Sequence, residues 1–571
     1  MRFYDSRRAF INNVKAVSGT SLVLAALSPA QAADAKKGAS GGAGAPGLGI
    51  FDVRQYGAKG DGKTLDSAAI QSAIDACTRA GGGIVVLPNG TYLSGTIELK
   101  DYVTLHLAPQ AVLFGSPNIS DYPFKDAGLS DFGYSPTPVP TCALVYAYRA
   151  KGIAIEGTGV IDGHSSVFRP MRGPRPRLLF IHECSDVAMQ EVTLKDAGNW
   201  TGHFAVCDHL RVHGVKIRSY GAGNSDGIDI DSCREVSISD CDIAAGDDVI
   251  CLKSTYPQPC QNVVVTNCTL RTYSNALKLG TASVGGFHNI TFSNCAIYDA
   301  LRGGIKVETV DGGDLWNVTF SNITMENVGT PIFIRLGNRA ADYGNPGIQK
   351  PRPIGSLKGV LISNVRARVT KTDGRFWPLV LSNQPDPTRH ADIYGCSITG
   401  IPGHEVENVS LENVSITFAP GGTIEHARRL DVPELEQTYP ESGMFGVLPA
   451  YGFYIRHAKG VTLANVRIDV DGMDMRPAII CDNVEDLELA GLKAAPPSGS
   501  EPLLRFRNAR NVFVHGSRPL APVETFLLVE GQRSTAIALV ANDLRQAKTS
   551  VISAPDASPG TVQESANVRA V

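Results

Sequence analysis

VSISDCDI, from Val236 to Ile243, returns along the chain as VVVTNCTL (Val263 to Leu270), ITFSNCAI (Ile290 to Ile297) and VTFSNITM (Val318 to Met325). It continues as VLISNVRA from Val360, VSLENVSI from Val409 and VTLANVRI from Val461. Weaker copies precede it (IAIEGTGV from Ile153, VAMQEVTL from Val187, LRVHGVKI from Leu210) and follow it (LELAGLKA from Leu487, VFVHGS from Val512, IALVANDL from Ile537). Each phrase alternates apolar and polar residues, which buries one face of a strand. It then turns at Asn, Asp or Gly and opens a second short strand. Most copies are about 23 to 28 residues apart, the length of one coil of a parallel β-solenoid. One coil cannot bury its apolar face alone, so neighbours must stack above and below. A propeller would need a longer period and antiparallel blades. The expected fold is therefore all-β, a single-stranded right-handed parallel β-helix over residues 49–571.

Gaps wider than one period predict loop insertions around 328–356, 377–405 and 418–452, which in a solenoid gather on one side and wall a binding face. Residues 66–80, DSAAIQSAIDACTRA, carry Ala69, Ile70, Ala73, Ile74 and Cys77 at helical spacing, with Asp66 as N-cap and Gly81 to Gly83 as the stop. This helix is expected to cap the N-terminal end of the solenoid.

The N-terminus has paired Arg7 and Arg8, an apolar run VSGTSLVLAAL, and small residues around Ala30 and Ala32. That order predicts a twin-arginine signal peptide over 1–32, cleaved after Ala32, with 33–48 as a flexible linker. The expected location is periplasmic or secreted, with no membrane span in the mature form and a monomeric state. Lys and Arg total 53 against 56 Asp and Glu, for a net charge of -3, which gives no footprint for nucleic acid. The 12 cysteines include Cys241, Cys268 and Cys295 in one slot of the repeat, which reads as a column of small buried thiols rather than a disulfide framework.

A second strand recurs in each coil, with inward apolar pairs Phe204/Val206, Ile228/Ile230, Ile250/Leu252, Leu277/Leu279 and Ile305/Val307. His203, Asp229, Asp231, Lys253, Lys278, Lys306 and Glu308 fall on the opposite parity, which forms a polar ladder on one outer face. Asp226 and the pair Asp247/Asp248 open two adjacent rungs, so three carboxylates converge from segments 21 residues apart. Paired carboxylates suit glycoside hydrolysis: one protonates the leaving oxygen, another activates water or attacks the sugar. Crowding raises at least one of their pKa values, which keeps one group protonated beside ionised neighbours. Adjacent lysines would hold an anionic sugar without a metal.

NSDGID (Asn224 to Asp229) resembles the NTDGID motif, and GDD (Gly246 to Asp248) the second acidic motif, of the polygalacturonase family, glycoside hydrolase family 28. FDVRQYGAKGDGKTLDSAAIQSAIDAC (Phe51 to Cys77) is similar to the N-terminal region of the same pectin-degrading β-helix enzymes, and NWTGHFAVC (Asn199 to Cys207) to the segment before the first motif. The resemblance implies Asp247 as general acid, Asp226 and Asp248 as activators of the attacking water, inversion at the anomeric carbon, no cofactor or metal, and a pectic polysaccharide or oligosaccharide as substrate. Two motifs depart from the family. GHGLSIG is replaced by SNALKLG, which puts Asn275 in place of a histidine and introduces Lys278. RIK is replaced by KVE, which puts Lys306 and Glu308 in place of an arginine and a lysine. Substrate-binding candidates are Asn275, Lys278, Lys306, Lys253, Asp229, His203, Glu308 and, one coil on, Arg335. Rhamnogalacturonan is the alternative substrate. Pectate-lyase-like β-elimination and a non-catalytic polysaccharide-binding β-helix are readings from other classes, although the three acids lack the spacing and glycine of a calcium loop.

Overall fold

The repeated phrase stacks in register. In the computed structural model one column runs Val187, Leu210, Val236, Val263, Ile290, Val318, Val360, Val409, Val461, Leu487, Val512, Ile537 and Val562, every pairing parallel. The structure describes residues 49–123, 141–168, 175–341, 343, 348, 351–370, 393–558 and 560–570. The expected signal peptide (1–32) and linker (33–48) lie outside the described residues. Alternate residues of each phrase face inward and are buried, as in Arg234–Ser239, where Val236 and Ile238 enter the core and Ser237 is exposed. All the described strands join in one continuous parallel stack, and a single core runs through it.

The turn after each phrase has its own chemistry. Asn267, Asn294, Asn322, Asn364, Asn413 and Asn465 adopt the left-handed conformation, with φ between +51° and +57°. Asn tolerates this region better than other side chains that carry a Cβ. Their amides then donate down the stack, Asn322 to Asn294 at 3.1 Å, Asn364 to Asn322 at 3.1 Å and Asn465 to Asn413 at 2.8 Å. One residue type thus makes the bend and links coil to coil. Directly after it, Cys241, Cys268 and Cys295 fill the same slot as Ile323, Val365 and Val414, and all twelve cysteines are free and buried.

The helix expected over 66–80 is present as α1 (Ser67–Arg79), which buries Ile70, Ala73, Ile74 and Cys77 and ends before Gly81 and Gly82 at φ +92° and +114°. It packs against Gly49–Asp52, Gly83–Leu87 and Ile97–Leu99 of the first coils. Asp66 does not cap it with its side chain. Its carboxylate accepts instead from the backbone N–H groups of Lys59 (2.8 Å) and Gly60 (3.0 Å), a tighter loop than the helix end offers.

The rungs that matter for function are β1 (Gly202–Ala205), β2 (Ile228–Asp231), β3 (Ile250–Ser254), β4 (Asn275–Ser283), β5 (Ala296–Thr309) and β6 (Leu315–Leu336). Strand β6 runs through Leu336, so the insertion expected from 328 begins nine residues later than its period suggested. Of the stretch 377–405, residues 377–392 lie outside the described residues, while Cys396–Thr399 is a strand seated between β6 and Phe453–Ala464. The solenoid therefore resumes inside the span expected to be loop. The insertion over 418–452 carries one short helix, Ile424–Arg428, and a small apolar cluster of Val432, Phe445 and Leu448 packed on Tyr454 and Ile480.

Candidate active site

Asp226 and Asp248 are placed by backbone hydrogen bonds that continue the ladder ahead of the strands. Gly227 N donates to Asp248 O at 2.8 Å, and Val249 N to Asn275 O at 2.9 Å, so the residues before β2, β3 and β4 sit on consecutive rungs. This spacing explains the glycine in NSDGID: a Cβ at Gly227 would stand 2.5 Å from the Val249 carbonyl oxygen. Asp226, Asp247 and Asp248 line one cleft of about 270 Å³, together with His203, Asp231, Lys253 and Lys278. Further along the same cleft lie Arg177, Trp200, Thr281, Arg302, Arg339, Tyr343, Tyr439 and Glu441.

The polar ladder has the expected order, His203 beside Asp229, Lys278 beside Lys306, Asp231 beside Lys253 and Glu308 beside Arg335. It is not an outer face, however. His203, Asp229, Asp231, Lys278, Lys306 and Glu308 are each at most 1% exposed. The reason is cover: the insertion over 418–452 lays Tyr439 against Lys278 and Glu441 against Lys306, while Trp200 lies over Lys253. Charges buried this way must be paired. Lys253 meets Asp229 at 3.2 Å and Asp226 at 3.5 Å; Lys278 meets Asp248 at 2.8 Å; Lys306 meets Glu441 at 2.7 Å and Glu308 at 3.4 Å.

Burial and pairing divide the carboxylates. Burial, reinforced by the charges of Asp229 and Asp247, pushes Asp226 well above the usual carboxylate range. Burial and the neighbouring Asp248 push Asp247 up as well. Burial acts on Asp248 in the same direction, but the ammonium groups of Lys278 and Lys253 overcome it and hold this carboxyl below its ordinary value. Ser274 Oγ (2.9 Å) and Asn275 Nδ2 (2.8 Å) also donate to Asp248 Oδ1. Burial raises Asp229 to about 6, against the pull of Lys253. Burial, with Arg177, lowers His203 to about 3, so its imidazole is neutral beside Asp231. Asp231 is anchored by Thr255, whose N and Oγ1 donate at 2.8 and 2.6 Å.

The candidate residues thus separate into two groups. Asp226, Asp247, Asp248, His203, Lys253 and Lys278 reach the cleft. Asp229, Asn275, Lys306 and Glu308 lie beneath it, where Asn275 orients Asp248 and Glu308 accepts from Thr281 Oγ1 at 2.9 Å. Thr281 is presented by a bulge in β4, where Gly280 takes φ +101° and a Cβ would stand 2.9 Å from that of Glu308. Arg335 is elsewhere: it donates to the carbonyls of Gly400 (2.9 Å) and Glu434 (2.7 Å), under Phe445, and so anchors the long insertion. Strand parity put it on the ladder but could not foresee that a loop a hundred residues away would claim its guanidinium.

Arg302, Arg339, Tyr439 and Glu441 were missed. Arg302 lies within a break in the β5 register, between Ala300 and Gly303, and the other three stand outside the strands, where alternation carries no information. Trp200 and Arg177 were also missed, although Trp200 lies in the segment NWTGHFAVC that the family resemblance had marked.

Residues 110–419 match Glycosyl hydrolases family 28, and residues 50–120 match Rhamnogalacturonase A/epimerase, pectate lyase-like. The chain is 26% identical over 386 residues to a Vitis vinifera protein named "Probable polygalacturonase", covering 64% of this chain and 73% of that protein. Among solved structures it resembles the family 28 exopolygalacturonase of Yersinia enterocolitica, with TM-score 0.57 and 20% identity over 77% of this chain and 78% of that one. It likewise resembles the exopolygalacturonase of Thermotoga maritima, with TM-score 0.56 and 18% identity over 74% and 93%. These two structures share the fold, a parallel β-helix, and the family match spans more than half of the sequence. With the acidic motifs on adjacent rungs of one cleft, the chain belongs to glycosyl hydrolases family 28 and is a glycoside hydrolase.

Proposed function

We propose that the protein hydrolyses galacturonosyl linkages of pectic polygalacturonate by a single displacement with inversion, without a metal. The observation that carries this reading is the pairing in the cleft, where Lys278 stands 2.8 Å from Asp248 and holds it below the ordinary carboxylate range, while burial raises the adjacent Asp247 and so favours its keeping a proton. Asp247 delivers that proton to the leaving oxygen, and Asp248 removes one from water on the opposite face of the sugar. Burial and neighbouring carboxylates raise Asp226, which disfavours it as a base, so of the two carboxylates expected to activate water, Asp248 carries the larger part. Lys253 and Lys278 already pair with Asp226 and Asp248, and a dication placed beside them would meet like charge.

One observation favours a second substrate. The Lys306 position, where the family carries an arginine, is neutralised by Glu441 and Glu308, which removes a cation for a uronate at that rung and suits a neutral sugar there, as in the alternating backbone of rhamnogalacturonan. The test is to incubate the purified protein with each polymer separately and weigh the products. Saturated oligogalacturonates, each one water heavier than the residue sum, support the first reading. Unsaturated products support a lyase, and cleavage of rhamnogalacturonan alone supports the second substrate.

The solenoid is right-handed and monomeric, α1 covers its first coil, and residues 49–571 form one domain. The chain leaves the cytoplasm by the twin-arginine route to the periplasm or beyond. Replacing both Arg7 and Arg8 by Lys should retain the protein in the cytoplasm, and unchanged export would exclude that route.

A further inference from the structure

We infer that Arg339, outside the family motifs, is a specificity-determining residue that binds the carboxylate of a uronic acid in the cleft. The inference rests on the proposed uronate substrate. Arg339 lies three residues beyond the end of β6, where the chain leaves the solenoid. Its Nε donates to Asp311 Oδ1 at 3.0 Å and its NH2 nitrogen to Oδ2 at 2.6 Å, so one edge of the guanidinium is clamped by a carboxylate that is itself fully buried. Its Cζ stands 5.6 Å from the Tyr343 ring and 5.4 Å from the Tyr439 ring, and NH2 also contacts the Tyr343 hydroxyl. The NH1 nitrogen has no hydrogen-bond partner among the described residues, and Arg339 lines the cleft.

The cations at and near the family positions are engaged elsewhere. Lys306 is held by Glu441 and Glu308, Lys278 by Asp248, and Lys253 by Asp229 and Asp226. Arg302 faces Glu441 at 3.5 Å. Arg339 differs because its clamp uses one edge of the planar fork and leaves the NH1 donors without a hydrogen-bond partner among the described residues, on a side chain that lines the cleft, which suits a carboxylate. Its distance from the chemistry is short: the Tyr439 ring that it contacts is also contacted by Lys278, whose Nζ lies 5.8 Å from the centroid and which holds Asp248. The Tyr343 and Tyr439 rings restrict the guanidinium before any ligand arrives, which lowers the entropic cost of binding.

The competing explanation is that Arg339 only braces the loop through Asp311. Asp311 would keep its bonds from Ser283 N, Ala341 N and the Tyr343 hydroxyl if Arg339 were replaced, so a folded variant is expected. The experiment measures affinity by calorimetry in an Asp247→Asn background, with trigalacturonate and with the same trisaccharide whose carboxyls have been reduced to alcohols. Arg339→Gln should weaken trigalacturonate about 10- to 100-fold and change the reduced ligand by less than about twofold, with Arg339→Lys in between. Thermal melting verifies the fold of each variant. Unchanged affinity for trigalacturonate, or equal losses for both ligands, would overturn the inference and leave the hydrolase reading standing. No binding of trigalacturonate by the folded Asp247→Asn protein with Arg339 intact would remove the uronate reading itself, and this inference with it.

Discussion

Two sides of the same solenoid use polar residues in opposite ways. On the turn side, Asn294, Asn322, Asn364 and Asn413 repeat one uncharged side chain at solvent, each bonded to its copy in the next coil. On the cleft side, successive rungs carry different charges, all buried, and each is satisfied by a partner of opposite sign or by a loop. Both ride on the same parallel register. Repetition serves stability because every coil solves the same problem. Catalysis requires the symmetry to be broken, since a proton donor and a proton acceptor must differ although both are Asp.

The contrast is broken most severely at the acids. Asp247→Asn should cut reducing-end release by about 10² to 10⁴-fold, and Asp226→Asn by less, while leaving the melting temperature near that of the unmodified protein. Full activity in both variants would remove the catalytic assignment. Next in size is Lys278→Met. Loss of the ammonium lets the Asp248 pKa rise, so the base is ionised only at higher pH and the acidic limb of the kcat/KM profile moves up by about 1 to 3 pH units. A limb that stays in place, or moves down, would show that Lys278 does not set the Asp248 charge.

On the repetitive side the losses appear as stability. Ile238, fully buried in its coil, should cost about 2 to 5 kcal/mol when changed to Ala, read from denaturant unfolding. Smallest is Asn322→Gly, which keeps the left-handed turn but loses the bonds to Asn294 and Asn364, for about 1 kcal/mol. Asn322→Ala should cost more, because Ala also strains a residue at φ +55°. Equal effects of Gly and Ala would mean that the ladder bonds, and not the backbone conformation, account for the Asn.

The same contrast explains what could be read from the sequence. Period-two alternation with Asn turns is a local signal repeated many times, and it yields the stack, its register and the neighbouring positions of Asp226, Asp247 and Asp248. The burial of the ladder was not legible, because the residues that cover it, Tyr439 and Glu441, come from an insertion with no period and meet Lys278 and Lys306 only in three dimensions. Arg335 and Arg339 make the point within five residues. Parity selected Arg335, which folding commits to the backbone of the insertion, and passed over Arg339, which stands beyond the last strand residue and reaches the cleft. Pairing also decides protonation. Asp247 and Asp248 are adjacent in sequence, yet only the second has Lys278 within hydrogen-bond distance.

The central claim is that Asp248 activates water while Asp247 protonates the leaving group, in one displacement. Proton NMR of the first products released from polygalacturonate, taken before mutarotation, tests it directly. The account predicts that the new reducing end appears first in the anomer opposite to the bond cleaved. Retention of configuration would require a carboxylate nucleophile and would contradict both the single displacement and the role given to Asp248.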